Sequence, residues 1–418
     1  MLKRQLWMRI VFILVFIMSF SSILMIGYSY WDLTTHTQDN TLPIGDWGIA
    51  ISTPQEFYNF ATKTNSLATD RYYLFNDIDF SGFTWNYNST NNAVVFRGTL
   101  DGNGKTLSNL TIYNNSTSYQ YIGIFPRMLG GSVFNLTLSN VNLSLGTTAL
   151  GGTSIRAGLL TGNIYGLTNT LSNITVLNSG VRGTSASGAG GLIGSVTIGT
   201  TIVNINNIKT TNLKVFNKSS YAGGLIGTIG TSGATVTISD IDLQGEVFSY
   251  PSSSYTGGIV GRIVSGAKFN ASRAIVQMTS RNTLETNSTY NFRYSNRYLG
   301  GFIGYNQSSS ANVILTDVFF TGSLIPQTIA NRSYVGTAIG TSSGSQTLLR
   351  TYYSMVAFKS STGTEVYTPD VTLRGIAETM VNASTMPSAA WWNTFAIEFN
   401  NANSLWAQDG TGRLYLIR

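Results

Sequence analysis

Gly190-Gly191-Leu192-Ile193-Gly194 returns as Gly223-Gly224-Leu225-Ile226-Gly227, Gly257-Gly258-Ile259-Val260-Gly261 and Gly300-Gly301-Phe302-Ile303-Gly304. Degenerate copies read Gly123-Ile124-Phe125-Pro126, Gly158-Leu159-Leu160-Thr161 and Gly336-Thr337-Ala338-Ile339-Gly340. With the second glycine as marker, the boxes fall at 123, 158, 191, 224, 258, 301 and 337, at intervals of 35, 33, 33, 34, 43 and 36 residues. One glycine-rich box means little. Seven in near register mark an array whose repeat is roughly 34 residues. The glycines have a physical reason: a tight coil must turn sharply, often at φ > 0, and stacked coils leave little room for a Cβ. The interposed aliphatic pair then fills the interior. A phosphate-cradling loop is disfavoured, because the box lacks the Lys-Ser/Thr ending and its strand–loop–helix setting.

A second pattern runs in phase with the first. Leu107-Ser108-Asn109-Leu110, Leu171-Ser172-Asn173-Ile174, Ile205-Asn206-Asn207-Ile208, Ile238-Ser239-Asp240-Ile241 and Leu315-Thr316-Asp317-Val318 share an aliphatic–x–Asn/Asp–aliphatic form. Stacked at ~4.8 Å, such side chains can hydrogen-bond along the axis as a ladder. The two signals predict an all-β chain, a right-handed parallel β-helix (β-solenoid), with a short N-terminal helix and a C-terminal cap.

The ends differ from the middle, as the ends of an array should. Thr53-Pro54-Gln55-Glu56 reads as an N-cap, a proline at the first helical position and a capping-box glutamate, with Phe57, Phe60 and Ala61 at helical spacing. The far end, 359–418, is tryptophan-rich (Trp391, Trp392, Trp406) and is expected to cover the last coil, whose open sheet edge invites aggregation. The predicted organisation is a signal or anchor at 1–31, a linker at 32–50, a cap and first coil at 51–110, repeats at 111–358 and a C-terminal cap at 359–418.

These features resemble the bacterial surface proteins that carry the GLUG motif, a right-handed β-helix repeat. The likeness extends beyond the boxes. Asn76-Asp77-Ile78-Asp79-Phe80 and Phe96-Arg97-Gly98-Thr99-Leu100-Asp101-Gly102-Asn103-Gly104-Lys105-Thr106-Leu107 resemble the family's lead-in. Leu405-Trp406-Ala407-Gln408-Asp409-Gly410 and Leu414-Tyr415-Leu416 resemble its closing segment. The resemblance covers roughly 50 to 418 and implies the fold strongly. It implies function weakly, since such repeats occur in adhesins, peptidase-associated regions and other exported proteins. Pro126, Thr161 and Thr337 depart from the pattern at glycine positions.

Composition agrees with a folded β array. Only 10% of residues are charged, 42% are hydrophobic and 44 are glycine. Of the +7 net charge, Lys3, Arg4 and Arg9 precede the first apolar segment, and no basic cluster resembles a nucleic-acid footprint. Cysteine is absent, which removes disulfides and thiolate catalysis. Residues 10–31 are uncharged from Ile10 to Trp31 and follow a basic start. They read as an uncleaved single-pass anchor by length, or as a signal peptide cut before Tyr30. Either way the remainder is expected outside the cell, secreted or at the surface.

The chemistry is mostly absence. Between Asp101 and Asp240 there is no Asp or Glu, whereas glycan-cleaving sites need clustered carboxylates. Asp240, Asp242 and Glu246 form one acidic group in the repeats, read either as structural or as the site of a carbohydrate-active lyase or hydrolase. Asp77, Asp79 and Asp101 form a second, with turn and capping roles preferred over metal binding. His36, the single histidine, sits in the linker. Nothing asks for a cofactor or a metal, and the reading is of a non-catalytic protein. Thirteen Asn-x-Ser/Thr sequons follow from a chain rich in these residues; they matter only in a glycosylating host. The 43-residue interval carries an insertion around 282–297. Tyr290, Phe292, Arg293, Tyr294, Arg297 and Tyr298 there suit a glycan or protein partner, or else pack onto the coil.

Overall fold

The computed structural model describes residues 48–359 apart from residue 65 and the segments 87–93, 115–119, 146–154, 184–185, 218–219, 250–254, 282–297, 308–311, 326–334 and 344–345, together with 365–366, 379–382, 406–408 and 414–416. Each coil is built from long strands followed by two short ones. In a central coil these are Ile202–Thr211 with Leu213–Asn217, then Tyr221–Gly223, then Ile226–Ile229. Each pairs in parallel with its counterpart one repeat on, as Ile205↔Ile238, Tyr221↔Tyr255 and Ile226↔Val260. The long strands make an eighteen-stranded sheet and the short ones two seven-stranded sheets. This is a parallel β-solenoid of the right-handed type, as predicted. Its core is the inward column of apolar side chains, Leu192, Leu225, Ile259 and Phe302 among them, all 0% exposed. Each contributes about 1.5–3 kcal/mol by leaving water.

The glycine boxes lie where the two short strands of a coil meet, but not for the first reason expected. None of their glycines has a positive φ. The constraint is contact: a Cβ on Gly190 would lie 2.0 Å from Ile193 O, and one on Gly194 2.5 Å from Ala157 N. The short sheets therefore touch backbone to backbone. Register also corrects the alignment of the early boxes. Gly158 pairs with Gly190 rather than Gly191, and Thr161 pairs with Ile193, so Gly162 is the true counterpart of Gly194 and Thr161 holds an aliphatic position. Leu159 takes the second-glycine place.

The positive φ values sit instead on the Asn/Asp column. Asn135, Asn173, Asn207, Asp240 and Asp317 have φ between 51° and 56°, and Arg273 and Arg350 continue the column at 48°. Asn and Asp tolerate this left-handed corner better than other side chains. The ladder bonds form as predicted: Asn207 Nδ2 donates to Asn173 Oδ1 at 2.9 Å and Asn173 Nδ2 to Asn135 Oδ1 at 2.5 Å. Above Asn207 the ladder changes to alternating charge, with Arg273 forking onto Asp240 at 2.7 and 2.7 Å and Arg350 onto Asp317. Asn109 belongs elsewhere, to a second corner with Asn140, Asn178 and Asn212; Asn140 Nδ2 donates to Asn109 Oδ1 at 2.7 Å. The true first-corner member, Asn135 in Val133-Phe134-Asn135-Leu136, fits the sequence pattern.

Helix α1, Pro54–Ala61, has the predicted capping box, with Thr53 and Glu56 bonding each other's backbone. Its buried Phe57 and Phe60 meet Phe80 and Phe125 edge-on at 5.8 and 5.6 Å, closing the start of the core. At the other end, Thr379–Asn382 pairs in parallel with Gln346–Lys359 of the last coil, where the C-terminal cap is expected, but the closing hairpin lies elsewhere. The hairpin Trp406–Gln408 with Leu414–Leu416 does not lie on the last coil. It lies on the flank of the middle coils, where Trp406 Nε1 donates to Asp240 Oδ1 at 3.0 Å and Lys209 Nζ donates to Leu416 O at 3.1 Å. The physical reason is an acceptor: the Asp240 carboxylate gives the buried indole N–H its hydrogen-bond partner.

Connections from the long sheet to the first short sheet vary from two residues, 184–185, to sixteen, 282–297. The strand ends that they join are stacked in register from coil to coil. No helix among the described residues is long and apolar enough to cross a membrane.

Candidate functional site: a tyrosine and arginine seam

Glycine contact between the short sheets decides where the next side chains go. Tyr121, Tyr221, Tyr255 and Tyr298 each stand two residues before a box glycine on the first short sheet. Arg127, Arg262 and Tyr305 share one register position on the second. The two columns meet along a seam parallel to the axis. Tyr255 stacks on Tyr298 at 4.7 Å and on Tyr305 at 4.9 Å, both with planes 13° apart. Arg262 lies over Tyr221 at 4.9 Å, and its Nη1 donates to Tyr221 Oη at 2.6 Å while Nη2 donates to Gln307 Oε1. Lower down, Arg127 lies over Tyr121 and Tyr165 at 5.7 and 5.5 Å, and Arg156 over Tyr121 at 5.7 Å. All of these side chains are half-buried.

Such contacts hold a guanidinium flat on an aromatic face and are worth ~0.5–2 kcal/mol each. Burial first, then the neighbouring Tyr298, pushes the Tyr255 hydroxyl above its ordinary value. The ring therefore stays neutral and its O–H remains a donor at physiological pH. The seam offers cations, hydroxyls and ring edges, and among its residues there is no carboxylate.

Of the residues expected to bind, Tyr298 stands in this stack. Tyr290, Phe292, Arg293, Tyr294 and Arg297 lie outside the described residues, as does His36. The rest of the seam escaped the sequence reading. Its signal was a tyrosine at fixed offset, Tyr221-Ala222-Gly223, Tyr255-Thr256-Gly257 and Tyr298-Leu299-Gly300.

The acidic group is built into the frame. Asp240 is 6% exposed, held by both Arg273 nitrogens and by the Trp406 indole. The Asp240 hydrogen bond, ahead of the burial that opposes it, raises the Arg273 guanidinium above its ordinary value. Asp242 is 0% exposed beneath the C-terminal hairpin, its Oδ2 3.5 Å from the Leu416 amide. Glu246 is half-buried, in register between Lys214 and Thr279. In the other acidic group Asp79 and Asp101 take the expected turn roles, while Asp77 bonds across to the next coil. Asp77 accepts from the Thr106 amide at 2.8 Å, Asp79 from the Ser81 amide at 3.0 Å and Asp101 from the Asn103 amide at 2.7 Å. Among the described residues no three His, Asp or Glu side chains converge to hold a metal.

No family model matches the chain, and no curated protein matches it. Among solved structures it is similar to one described as a "putative immunoglobulin A1 protease from Bacteroides ovatus". The TM-score is 0.54 at 15% identity, covering 89% of this chain and 93% of that one. At that identity the likeness is one of fold alone.

Proposed function

We propose that this chain is a non-catalytic exported surface protein, an adhesin or rigid cell-envelope scaffold that binds glycan or protein through the solenoid surface. The observation that carries the reading is the seam: arginines lying on tyrosines, at the corner where the connection 282–297 runs into Tyr298. Residues of this kind anchor partners in binding surfaces. Export rests on the basic start followed by the uncharged stretch 10–31. The GLUG resemblance, carried by the glycine boxes and their flanking segments, agrees with a surface role.

The enzyme alternative needs Asp240, Asp242 and Glu246 to meet a substrate, and two of these three are buried under existing partners. The similar structure's description as a "putative immunoglobulin A1 protease" comes with 15% identity, which is a likeness of fold and assigns no peptidase residue among those described. The test shortens 282–297 to the length of its neighbours and measures adherence to cells and glycan arrays. A melting temperature close to the parent's with adherence lost is the expected result. Adherence that survives both the shortening and the replacement of the seam tyrosines would sink the reading. Glycan cleavage that depends on Asp240, Asp242 or Glu246 would replace it with the enzyme.

A further inference from the structure

We infer that the seam is a binding strip for an acidic polysaccharide, whose carboxylate or sulfate groups pair with the guanidiniums of Arg127 and Arg262. This rests on the reading of the chain as a surface binder and names its ligand class.

The chain shows what it does when a guanidinium is to be neutralised internally. Arg273 and Arg350 each receive an in-register aspartate, Asp240 and Asp317, in a forked pair. Arg127 and Arg262 receive none. Among the described residues neither takes part in an ion pair, and the Nε of each is buried without a hydrogen-bond partner. The stretch between Asp101 and Asp240 contains no acid at all, so the coils it builds supply none to the lower seam. These two cations are therefore placed, flattened on rings and left uncompensated. A guanidinium held this way loses little freedom on forking onto a carboxylate or sulfate.

The shape of the strip selects among anions. Arg127 and Arg262 stand in one column with Asn163, Ser195 and Thr228 between them, four coil steps apart. At ~4.8 Å per step the separation is ~19 Å, which calls for a polymer of several units rather than one sugar. The tyrosine faces are occupied by each other and by the guanidiniums. Capture of single-stranded nucleic acid relies on free aromatic faces for its bases, and these are not on offer. Hydroxyls and ring edges are, and they suit a hydroxyl-rich chain.

The test measures binding of the full chain to immobilised polygalacturonate and to heparin, with dextran as the neutral glycan and oligothymidylate as the non-glycan polyanion. Binding to one or both acidic glycans, weakening as salt rises, is expected, with dextran and oligothymidylate at least tenfold weaker. Carboxylated and sulfated ligands are told apart by which of the first two surfaces binds. Arg127→Gln and Arg262→Gln should each weaken binding about tenfold in a chain still folded at the assay temperature, the lost ring contacts lowering the melting temperature modestly, and Arg262→Lys should restore part of the binding loss. If one glutamine variant melts early, the other, four coils away, decides. Dextran bound as tightly as the acidic glycans, or affinity untouched by both variants, overturns the strip while leaving the surface-binder reading in place. Oligothymidylate bound equally well also overturns it, in favour of an unspecific polyanion surface. No glycan binding with cell adherence intact removes the ligand class alone; loss of both removes the function as well.

Discussion

Gly224→Val tests the contact that spaces the coils. A Cβ at Gly224 would lie 2.1 Å from Gly258 O and 2.9 Å from Met278 Cε. An ordinary carbon–oxygen contact is ~3.3 Å, so the coil above must rise by about an ångström. That step is held by Gly224 N to Gly257 O at 3.1 Å and Leu225 N to Ile259 O at 3.0 Å. A rise of that size takes both past hydrogen-bond range. Overpacking costs ~1–3 kcal/mol and each weakened bond ~1 kcal/mol, so about 4 kcal/mol is expected. Thr337 is the control in the same position of the last box. It follows Val335–Gly336, the edge strand of that sheet among the described residues, and its branched Cβ is already accommodated in a fully buried place. Its hydroxyl is buried without a partner, so Thr337→Val should be neutral or slightly stabilising. Urea unfolding followed by far-ultraviolet circular dichroism measures both. Equal shifts in the two variants would refute the contact account, and a mild Gly224→Val would show that the coils flex more than their spacing implies.

Asp240→Asn sets two effects against each other. The amide can donate to the buried, unpartnered Oδ1 of Asn207, a gain of ~1 kcal/mol. It also breaks the fork with Arg273 and weakens the Trp406 bond, a loss of ~2–3 kcal/mol for a pair still partly open to water. A net loss of about 1–2 kcal/mol is expected, with faster hydrogen exchange at 406–416; exchange unchanged would detach the hairpin from this carboxylate. For Asp79, the Asn109 amide first, then the Ser81 backbone and hydroxyl, hold the carboxyl below its ordinary value. The folded value lies below the unfolded one, so the contribution is present above the unfolded value of ~3.9 and fades as pH falls through the lowered one. Acid unfolding of Asp79→Asn should therefore be less steep in that window, and an identical acid profile would contradict the bond to Asn109.

Local constraints that recur were legible along the chain. The spacing of the boxes announced the coil, because every coil must bring its short strands into glycine contact. Thr53 and Glu56 announced the helix start, because a capping box is a contact within one turn. The Asn column was legible where asparagine filled it and lost where Arg273 and Arg350 took the left-handed corner, since arginine carries no local signature of that backbone. Phase alone also misplaced Asn109 and Thr161: intervals count residues, whereas parallel pairing fixes which residue lies above which. The tyrosine offset was written in the chain, but the meeting of the tyrosine and arginine columns and the landing of Trp406 on Asp240 belong to the tertiary structure. Tyr221, Tyr255 and Tyr298 lie 34 and 43 residues apart in the chain and become neighbours only through register. Trp406 and Asp240 are separated by 166 residues, a distance over which no local preference acts and only a buried carboxylate needing partners decides the contact.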